Sequence, residues 1–333
     1  MINQSFWEGK TILITGGTGT FGHAFVPRAL SIPGIKKVII FSRDEFKQSV
    51  MQHELKDPEN KMRYFLGDVR DADRLNRALN GVDIVVHAAA LKQVPAIEYN
   101  PMEAIKTNVL GTQNVVDAAL NNNVEKVLLI SSDKAVHPVN LYGATKLCAE
   151  KLMVAANSYS DSNKSGKFSV ARYGNVIGSR GSIVELIEKQ RSSGSIILTD
   201  ERMTRFWIKA SKVMDIIFES LERMEGGEIF VPKMKSLKVE DVIKTLAPDC
   251  KINIIGIRPG EKLHEILITE HEANRTKDLT NFYVILPEIV NKNISRDFPS
   301  YSKEPVFDTD SVYASNHHDH LFPLEKAREI LDL

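Results

Sequence analysis

The chain contains only two cysteines in 333 residues, Cys148 and Cys250, and they form no C-x-x-C redox or zinc pattern. Such scarcity suits a reducing compartment and leaves disulfides out of the account of stability. A charge excess is also missing, because 43 basic residues stand against 43 acidic ones. Non-specific nucleic-acid binders carry a basic surplus, so no nucleic-acid partner is expected. No apolar run approaches the ~20 residues of a membrane span, and the N-terminus lacks a leader pattern. Neither a solenoid-length repeat nor a low-complexity tract is present. The expectation is a cytoplasmic globular protein, and an apolar content of 43% is ample for a large core.

Short apolar runs alternate with helical stretches through the first half. KTILIT, KKVIIFS, MRYFLGD, VDIVVHAAA and VEKVLLIS read as buried strands. Between them DEFKQSVMQHEL, DADRLNRALN and NPMEAIKTNVLGTQNVVDAALNNN read as helices, the last as one long helix. This alternation predicts an α/β fold, a Rossmann-type doubly wound parallel sheet covered by helices on both faces. A sixth unit is a helix through Tyr142 followed by KFSVARYGNV. After about Asn175 the rhythm changes to loops, shorter strands and amphipathic helices. We expect a nucleotide-binding domain over 1–175, a smaller C-terminal substrate-binding domain over 176–290, and an irregular polar tail over 291–333 with a short final helix. The helix over 209–224 is a candidate to return to the first domain. The run His317–His320 lacks zinc-protease spacing, so it reads as a solvated tail and no metal site is expected.

Gly16-x-x-Gly19-x-x-Gly22 falls between the first strand and the helix after it, with Thr18, Thr20 and Phe21 completing GGTGTFG. Glycines there let backbone N–H groups approach a pyrophosphate at a helix N-terminus. The spacing is the short-chain dehydrogenase/reductase variety. NAD enzymes usually end the second strand with an acid for the ribose diol; here Ser42-Arg43 stands there, with Lys47 one turn on. A hydroxyl and a guanidinium suit a 2′-phosphate, so NADP is favoured as cofactor. Asp44 and Glu45 could instead pair with Arg43 or start the helix. Asp68-Val69 stands where this fold usually touches adenine, or is simply a turn. Ala88, Ala89 and Ala90 either admit the nicotinamide ribose or pack helix on sheet. Lys92 directly after them could face substrate. Asn108 either orders the Lys146 region or satisfies a helix carbonyl.

Just past VEKVLLIS come a hydroxyl, an acid and an amine, Ser132, Asp133 and Lys134. Ten residues on, Tyr142 and Lys146 stand at i, i+4, which stacks them on one helix face. A cation beside the phenol pulls its proton affinity down from a value of about 10. A tyrosinate reachable near neutral pH is a general base for an alcohol. The second half places Arg172, Asn175, Arg180, Arg202, Arg205 and Arg258 in or beside loops, where bidentate contacts to a diphosphate are expected. Glu261, in the turn after Pro259-Gly260, could take a ribose hydroxyl.

These blocks, with GDVRD, HAAALKQVP, SSDKAVHPVNLYGATK, RYGNVIGSRGS, LTDERMTRFWI and GIRPGEKLHE, resemble the inverting UDP-N-acetylglucosamine 4,6-dehydratases of the pseudaminic acid pathway over nearly the whole chain. The resemblance implies that Tyr142 deprotonates the C4 hydroxyl as hydride passes to NADP⁺, with Ser132 and Lys146 in support. Lys134 would then take the C5 proton and Asp133 would protonate the departing C6 hydroxyl. Hydride returns to C6 and a proton to the opposite face of C5. Lys92, Tyr173, Asn175, Arg180, Thr199, Arg205, Arg258 and Glu261 form the implied substrate set. UDP-N-acetylglucosamine is the implied partner, and the family forms homo-oligomers, often hexamers. Other nucleotide-sugar 4,6-dehydratases carry Asp-Glu where this chain has Asp133-Lys134. A free lysine (pKa about 10.4) is a poor base at pH 7, so the site must desolvate it. Neutral acid plus neutral amine is a tautomer of the ion pair, with the same proton count. Two other readings keep the fold: a C5 or C4 epimerase, which needs no proton donor at C6, and a redox-inactive NADP-binding scaffold, which would lose Tyr142 or Lys146.

Overall fold

Buried β-branched and aliphatic runs form the strands, and their order decides where the polar residues meet. The computed structural model describes residues 3–57, 59–159, 166–179, 182–288, 298–308 and 311–331. The first six strands are β1 (Thr11–Thr15), β2 (Lys37–Ser42), β3 (Met62–Leu66), β4 (Ile84–His87), β5 (Lys126–Ser132) and β6 (Lys167–Tyr173). They are followed by β7 (Asn175–Val176), β8 (Ser195–Leu198), β9 (Thr204–Ile208), β10 (Ile229–Pro232) and β11 (Lys235–Lys238). The last are β12 (Lys251–Ile254), β13 (Ile266–Ile268), β14 (Thr276–Asp278), β15 (Phe282–Ile285) and β16 (Tyr313–Ala314).

The main sheet has nine strands in the order β14-β15-β10-β6-β5-β4-β1-β2-β3. Its pairings are parallel from β3 through β10, and β15 and β14 add an antiparallel edge. The chain order reverses between β1 and β4, and such a switch point opens a crevice at the carboxyl ends of the strands. Strand β1 is buried along its whole length, as a central parallel strand requires. Residues beyond 175 therefore complete this sheet through β10, β14 and β15. The smaller assembly comprises a three-stranded sheet β11-β9-β7 and the pairs β12–β8 and β13–β16, over a separate cluster that includes Trp207, Leu237, Val242 and Ile330.

The helix Ala210–Arg223 packs against the glycine-turn helix Thr20–Leu30 and β10. Phe218 stacks on Phe25 at 5.0 Å between centroids and meets Trp7 edge-on at 5.3 Å. The expected long helix over 100–123 is divided: Pro101–Ala104, a π-helical segment Ile105–Leu110, then Gly111–Asn121. Thr107 and Asn108 are both buried within this wide turn. The chain beyond Pro299 is not a loose tail among the described residues. Tyr301, Tyr313, Ala327 and Ile330 are buried, and Tyr313 exchanges hydrogen bonds with the Met234 backbone. The His-rich run is likewise docked. The His320 ring meets Tyr313 edge-on, its carbonyl accepts the Ser236 N–H, and His317, His318 and Asp319 gather at the surface.

Phe218→Ala removes a ring that joins Trp7 and Phe25 in a fully buried contact. We expect a loss of about 3–5 kcal/mol in denaturant unfolding.

Candidate active site

Gly16 has φ +67°, and a Cβ there would come within 2.9 Å of the Ala89 backbone. The turn after β1 thus lies flush against the loop after β4. Gly19 caps the helix Thr20–Leu30 and has no side chain to bond back to it, an end that suits an anion. Gly22 is placed differently from its neighbours. A Cβ on it would stand 1.8 Å from the Gly17 carbonyl oxygen, so it allows the helix to close on the turn. Gly16, Thr18, Gly19, Thr20 and Phe21 line a cavity of about 810 Å³ at the switch point. Ser42, Arg43, Lys47, Asp68, Val69, Ala88, Ala89 and Ala90 line the same cavity.

Arg43 lies 3.5 Å from Asp68, whose closer partner is Arg70 at 2.7 Å. Burial pushes the Asp68 carboxyl up, but the Arg70 hydrogen bonds and charge outweigh it and hold it below the usual range. Asp44 caps the helix Glu45–Glu54 by accepting the Lys47 N–H and pairs with the Lys47 ammonium at 3.2 Å. Its charge is thereby engaged away from the tip of β2. These residues fit a dinucleotide: a glycine-capped helix N-terminus for a pyrophosphate, and Arg43 and Lys47 at the ribose end. Asn108 is not a cavity wall. Its amide donates to the Leu91 carbonyl and to Thr145 Oγ1, and its oxygen accepts the Leu91 N–H. It ties the β4 loop to the helix bearing Lys146.

Strand β5 ends at Ser132, and Asp133–Ala135 turns tightly after it. Ser132 Oγ donates to Asp133 Oδ1 at 2.7 Å, and Lys134 Nζ donates to the same oxygen at 2.9 Å. Asp133 is fully buried and the Lys134 side chain is 29% exposed. Burial opposes both charges most strongly. Even so, Lys134 and Ser132 hold the Asp133 carboxyl below its ordinary value, and Asp133 and then Glu265 hold the Lys134 ammonium above its own. These contacts favour the ion pair, whereas the reacting state calls for the neutral tautomer.

Tyr142 opens the helix Leu141–Ala156, which Asn140 caps through the Gly143 N–H. A Cβ on Gly143 would meet the Lys134 carbonyl oxygen at 2.2 Å, so glycine lets the helix settle on the catalytic turn. The phenol is pushed up by burial, and the opposing cation is Lys134 rather than the Lys146 of the sequence argument. Lys146 sits below, donating to the Ile130 carbonyl at 2.5 Å, and burial pulls its ammonium down to about 8.

Of the substrate set, Lys92, Tyr173, Asn175, Arg205, Arg258 and Glu261 reach the cavity wall. The buried Asn175 Nδ2 has no partner among the described residues, which suits a ligand acceptor. The Arg205 guanidinium is largely committed to the carbonyls of Thr204, Lys262 and Leu263. Thr199 is buried beside Met203 and does not line the cavity, and Arg180 lies outside the described residues. Arg172 is no loop residue: it is buried in β6 between Glu150 and Glu272. Arg202 pairs with Asp200 on an exposed turn away from the cavity. Sequence reasoning missed Thr107, Asn140, Lys262 and Glu265, all on the cavity wall. The block GIRPGEKLHE contains the last two but carries no spacing that marks them.

Together the switch-point turn and the Tyr–Lys helix on one cavity wall define a short-chain dehydrogenase/reductase fold built around a dinucleotide. The chain belongs to the family described as polysaccharide biosynthesis protein, which matches residues 12–287. It is 51% identical to the UDP-N-acetylglucosamine 4,6-dehydratase (inverting) of Campylobacter jejuni subsp. jejuni serotype O:23/36, covering 88% of this chain and 87% of that protein. It is also 41% identical to a UDP-glucose 4-epimerase of Rickettsia conorii, covering 97% of this chain and 95% of that one. The X-ray structure of Pen from Bacillus thuringiensis superposes with a TM-score of 0.88 at 35% identity, covering 98% and 100% of the two chains. The dTDP-glucose 4,6-dehydratase DesIV of Streptomyces venezuelae, solved with NAD bound, shares the fold with a TM-score of 0.66 at 23% identity, over 76% of this chain and 86% of that one. Among the described residues no helix is long and apolar enough to cross a membrane.

Arg172→Met strands Glu150 and Glu272 without their shared cation. We expect a loss of about 3–5 kcal/mol, read as a fall in Tm.

Proposed function

We propose that this chain performs the NADP-dependent 4,6-dehydration of UDP-N-acetylglucosamine with inversion at C5. The product is UDP-2-acetamido-2,6-dideoxy-β-L-arabino-hexos-4-ulose, as in the first step of pseudaminic acid biosynthesis. The observation that carries this reading is the Asp133–Lys134 pair at 2.9 Å, with Lys134 on the cavity wall beside Tyr142 and Asp133 buried behind it. The Campylobacter relative supports the sugar and the outcome.

A bound nicotinamide supplies the hydride acceptor at C4 and the donor at C6. Tyr142 takes the C4 hydroxyl proton, with the Lys134 charge and then the nearby Ser132 hydroxyl favouring the phenolate. The resulting 4-keto group acidifies the C5 proton. Lys134 must then be neutral and Asp133 protonated. Burial favours that form of each group, and the ion pair is held by their mutual attraction, with Ser132 supporting the carboxylate and Glu265 the ammonium. A C6 hydroxyl that takes the Asp133 hydrogen bond from Lys134 weakens that attraction and shifts the pair toward its neutral tautomer. Lys134 then removes the C5 proton while Asp133 protonates the departing C6 oxygen, which leaves as water. Asn175 and Arg258 are the groups best placed for the nucleotide end of the substrate.

A second reading, C4 epimerisation, is favoured by the Rickettsia relatives. It would use Tyr142 and Lys146 but leave Asp133 without a task. Incubation with UDP-N-acetylglucosamine in deuterated water, followed by NMR, separates the two. Deuterium at C5 and a C6 methyl support dehydration; an unlabelled C4 epimer sinks it. Lys134→Met should bind substrate and reduce the cofactor, more slowly for want of the charge beside Tyr142, yet introduce no deuterium at C5. Normal exchange in that variant would move the base elsewhere, with Lys92 the next candidate.

The 2′-phosphate assignment rests on Arg43 and Lys47. Arg43→Ala should weaken NADP⁺ binding by about 1–3 kcal/mol, the scale of a charged hydrogen bond, and leave NAD⁺ affinity nearly unchanged. Calorimetry showing equal wild-type affinity for both cofactors would remove the assignment.

A further inference from the structure

Glu265 is 3% exposed, lines the cavity, and is left without a task by the scheme above. Its backbone is fixed from the side of β16: its N–H donates to Ser315 Oγ at 2.9 Å and its carbonyl accepts the Ser315 N–H at 2.8 Å. Oε1 stands 3.9 Å from Lys134 Nζ and 3.8 Å from Arg205 Nε, and Oε2 stands 3.4 Å from Lys262 Nζ. Buried Oε2 makes no hydrogen bond among the described residues. A buried carboxylate left this way is costly unless its position serves something.

Its two other cations are held elsewhere. Arg205 donates to the carbonyls of Thr204, Lys262 and Leu263, and Lys262 donates to the Val136 carbonyl. Lys134 is the partly exposed member of the group, and its amine lies about one ångström farther from Glu265 than from Asp133. We propose that Glu265 is a positioning residue for the elimination, taking over the Lys134 ammonium as Asp133 turns to the leaving oxygen. The inference rests on the reading in which Lys134 takes the C5 proton.

In that step the C5–H bond breaks and an N–H bond forms on Lys134. The released electron pair becomes the C5–C6 double bond, the C6–O bond breaks, and the oxygen leaves as water with the Asp133 proton. Asp133 becomes a carboxylate directed at water, just as Lys134 acquires a charge. An anion already in place on the other side of the amine keeps that charge paired and the proton off C5. Glu265 itself gains and loses no proton.

The groups facing Lys134 are Asp133 on its own turn, Glu265 before β13, Arg205 in β9, Lys92 after β4 and Tyr142 at the start of its helix. Among them Asp133 and Glu265 favour the ammonium, and Arg205 opposes it. Removing the Glu265 charge therefore favours the neutral amine. The base then becomes available at lower pH but binds its proton less firmly.

The test follows C5 deuterium exchange and product formation against pH in the holoenzyme, with UDP-N-acetylglucosamine as substrate. Glu265→Gln should lower kcat by about tenfold or more with KM within about twofold. Its acid limb should move to lower pH by about one unit, a Coulomb effect partly cancelled by Arg205 and Lys262. Glu265→Asp keeps the charge, so its acid limb should stay at the wild-type pH while kcat recovers in part. A purely structural role would lower Tm or raise KM without moving the limb, and that result overturns the proposal. So does a Gln variant with wild-type kcat and limb. If the Gln variant fails to fold, an Asp variant that folds but has its acid limb displaced from the wild-type pH overturns it too. A wild type that exchanges no C5 proton defeats the functional reading and this inference with it; normal wild-type exchange beside an unaffected Gln variant defeats the inference alone.

Discussion

Arg172 is enclosed between Glu150 and Glu272, at 2.7 and 3.0 Å, and donates further to the Leu267 carbonyl. Charges this deep cost several kcal/mol each to desolvate, so the cluster survives only because its geometry satisfies every member. The pairing gives the active site its frame. Glu150 stands one turn beyond Lys146 on the tyrosine helix and also accepts from Ser131, the residue before Ser132. Glu272 completes the capping box of the short helix Glu270–Ala273, next to β13. One guanidinium therefore fixes the end of β5, the helix carrying Tyr142 and the segment carrying Glu265 relative to one another. A shift in any of them would break a buried charge pair.

Within that frame the site is crowded with ions that solvent would normally separate. Asp133, Lys134, Glu265, Arg205 and Lys262 form a chain of contacts from 2.9 to 3.9 Å, all on or beside the cavity wall. Lys146 is treated differently: burial draws its ammonium down to about 8, and the Glu150 charge opposes that fall. The fold thus keeps one lysine strongly charged by close anions and a second, beneath the tyrosine, nearer to neutrality. A single Tyr-x-x-x-Lys motif would not suggest such a division.

Strand β10 read as part of the smaller domain and β14 and β15 were not read at all, whereas strands β1 to β6 were legible because each is a short apolar run followed by small or polar turn residues. The Gly16–Gly22 turn, the Ser132–Lys134 triplet and the Tyr142 helix could be placed for the same reason. What stayed hidden depends on distant partners. Thr204–Ile208 is fully buried and pairs with β7 and β11, yet TRFWI alternates no more clearly than many loops. The π-helical turn at Ile105–Leu110 obeys the helical pattern on either side, so nothing local marks the extra residue. Arg172 read as a phosphate ligand because an arginine near a strand end is usually exposed, whereas this one is claimed by two carboxylates 22 and 100 residues away. The region after Pro299 looked polar because its buried residues, Tyr301 and Tyr313 among them, are spaced by turns rather than by a period.

On the proposed reading, the charge state of Lys134 sets the order of the two chemical stages. While Lys134 is an ammonium it is the principal cation lowering the proton affinity of Tyr142, against a burial effect that raises it. That arrangement favours removal of the C4 hydroxyl proton. Once the phenol holds that proton, the ammonium has no anion to stabilise at Tyr142, and its remaining support comes from Asp133 and Glu265. The 4-keto sugar offers Asp133 a competing partner at C6, so the neutral tautomer becomes accessible only after oxidation. A lysine is suited to both stages because its two protonation states do different work, one as a neighbouring charge and the other as a base. A glutamate at the same position would be anionic throughout. It would raise the proton affinity of the phenol during the first stage, where the lysine lowers it.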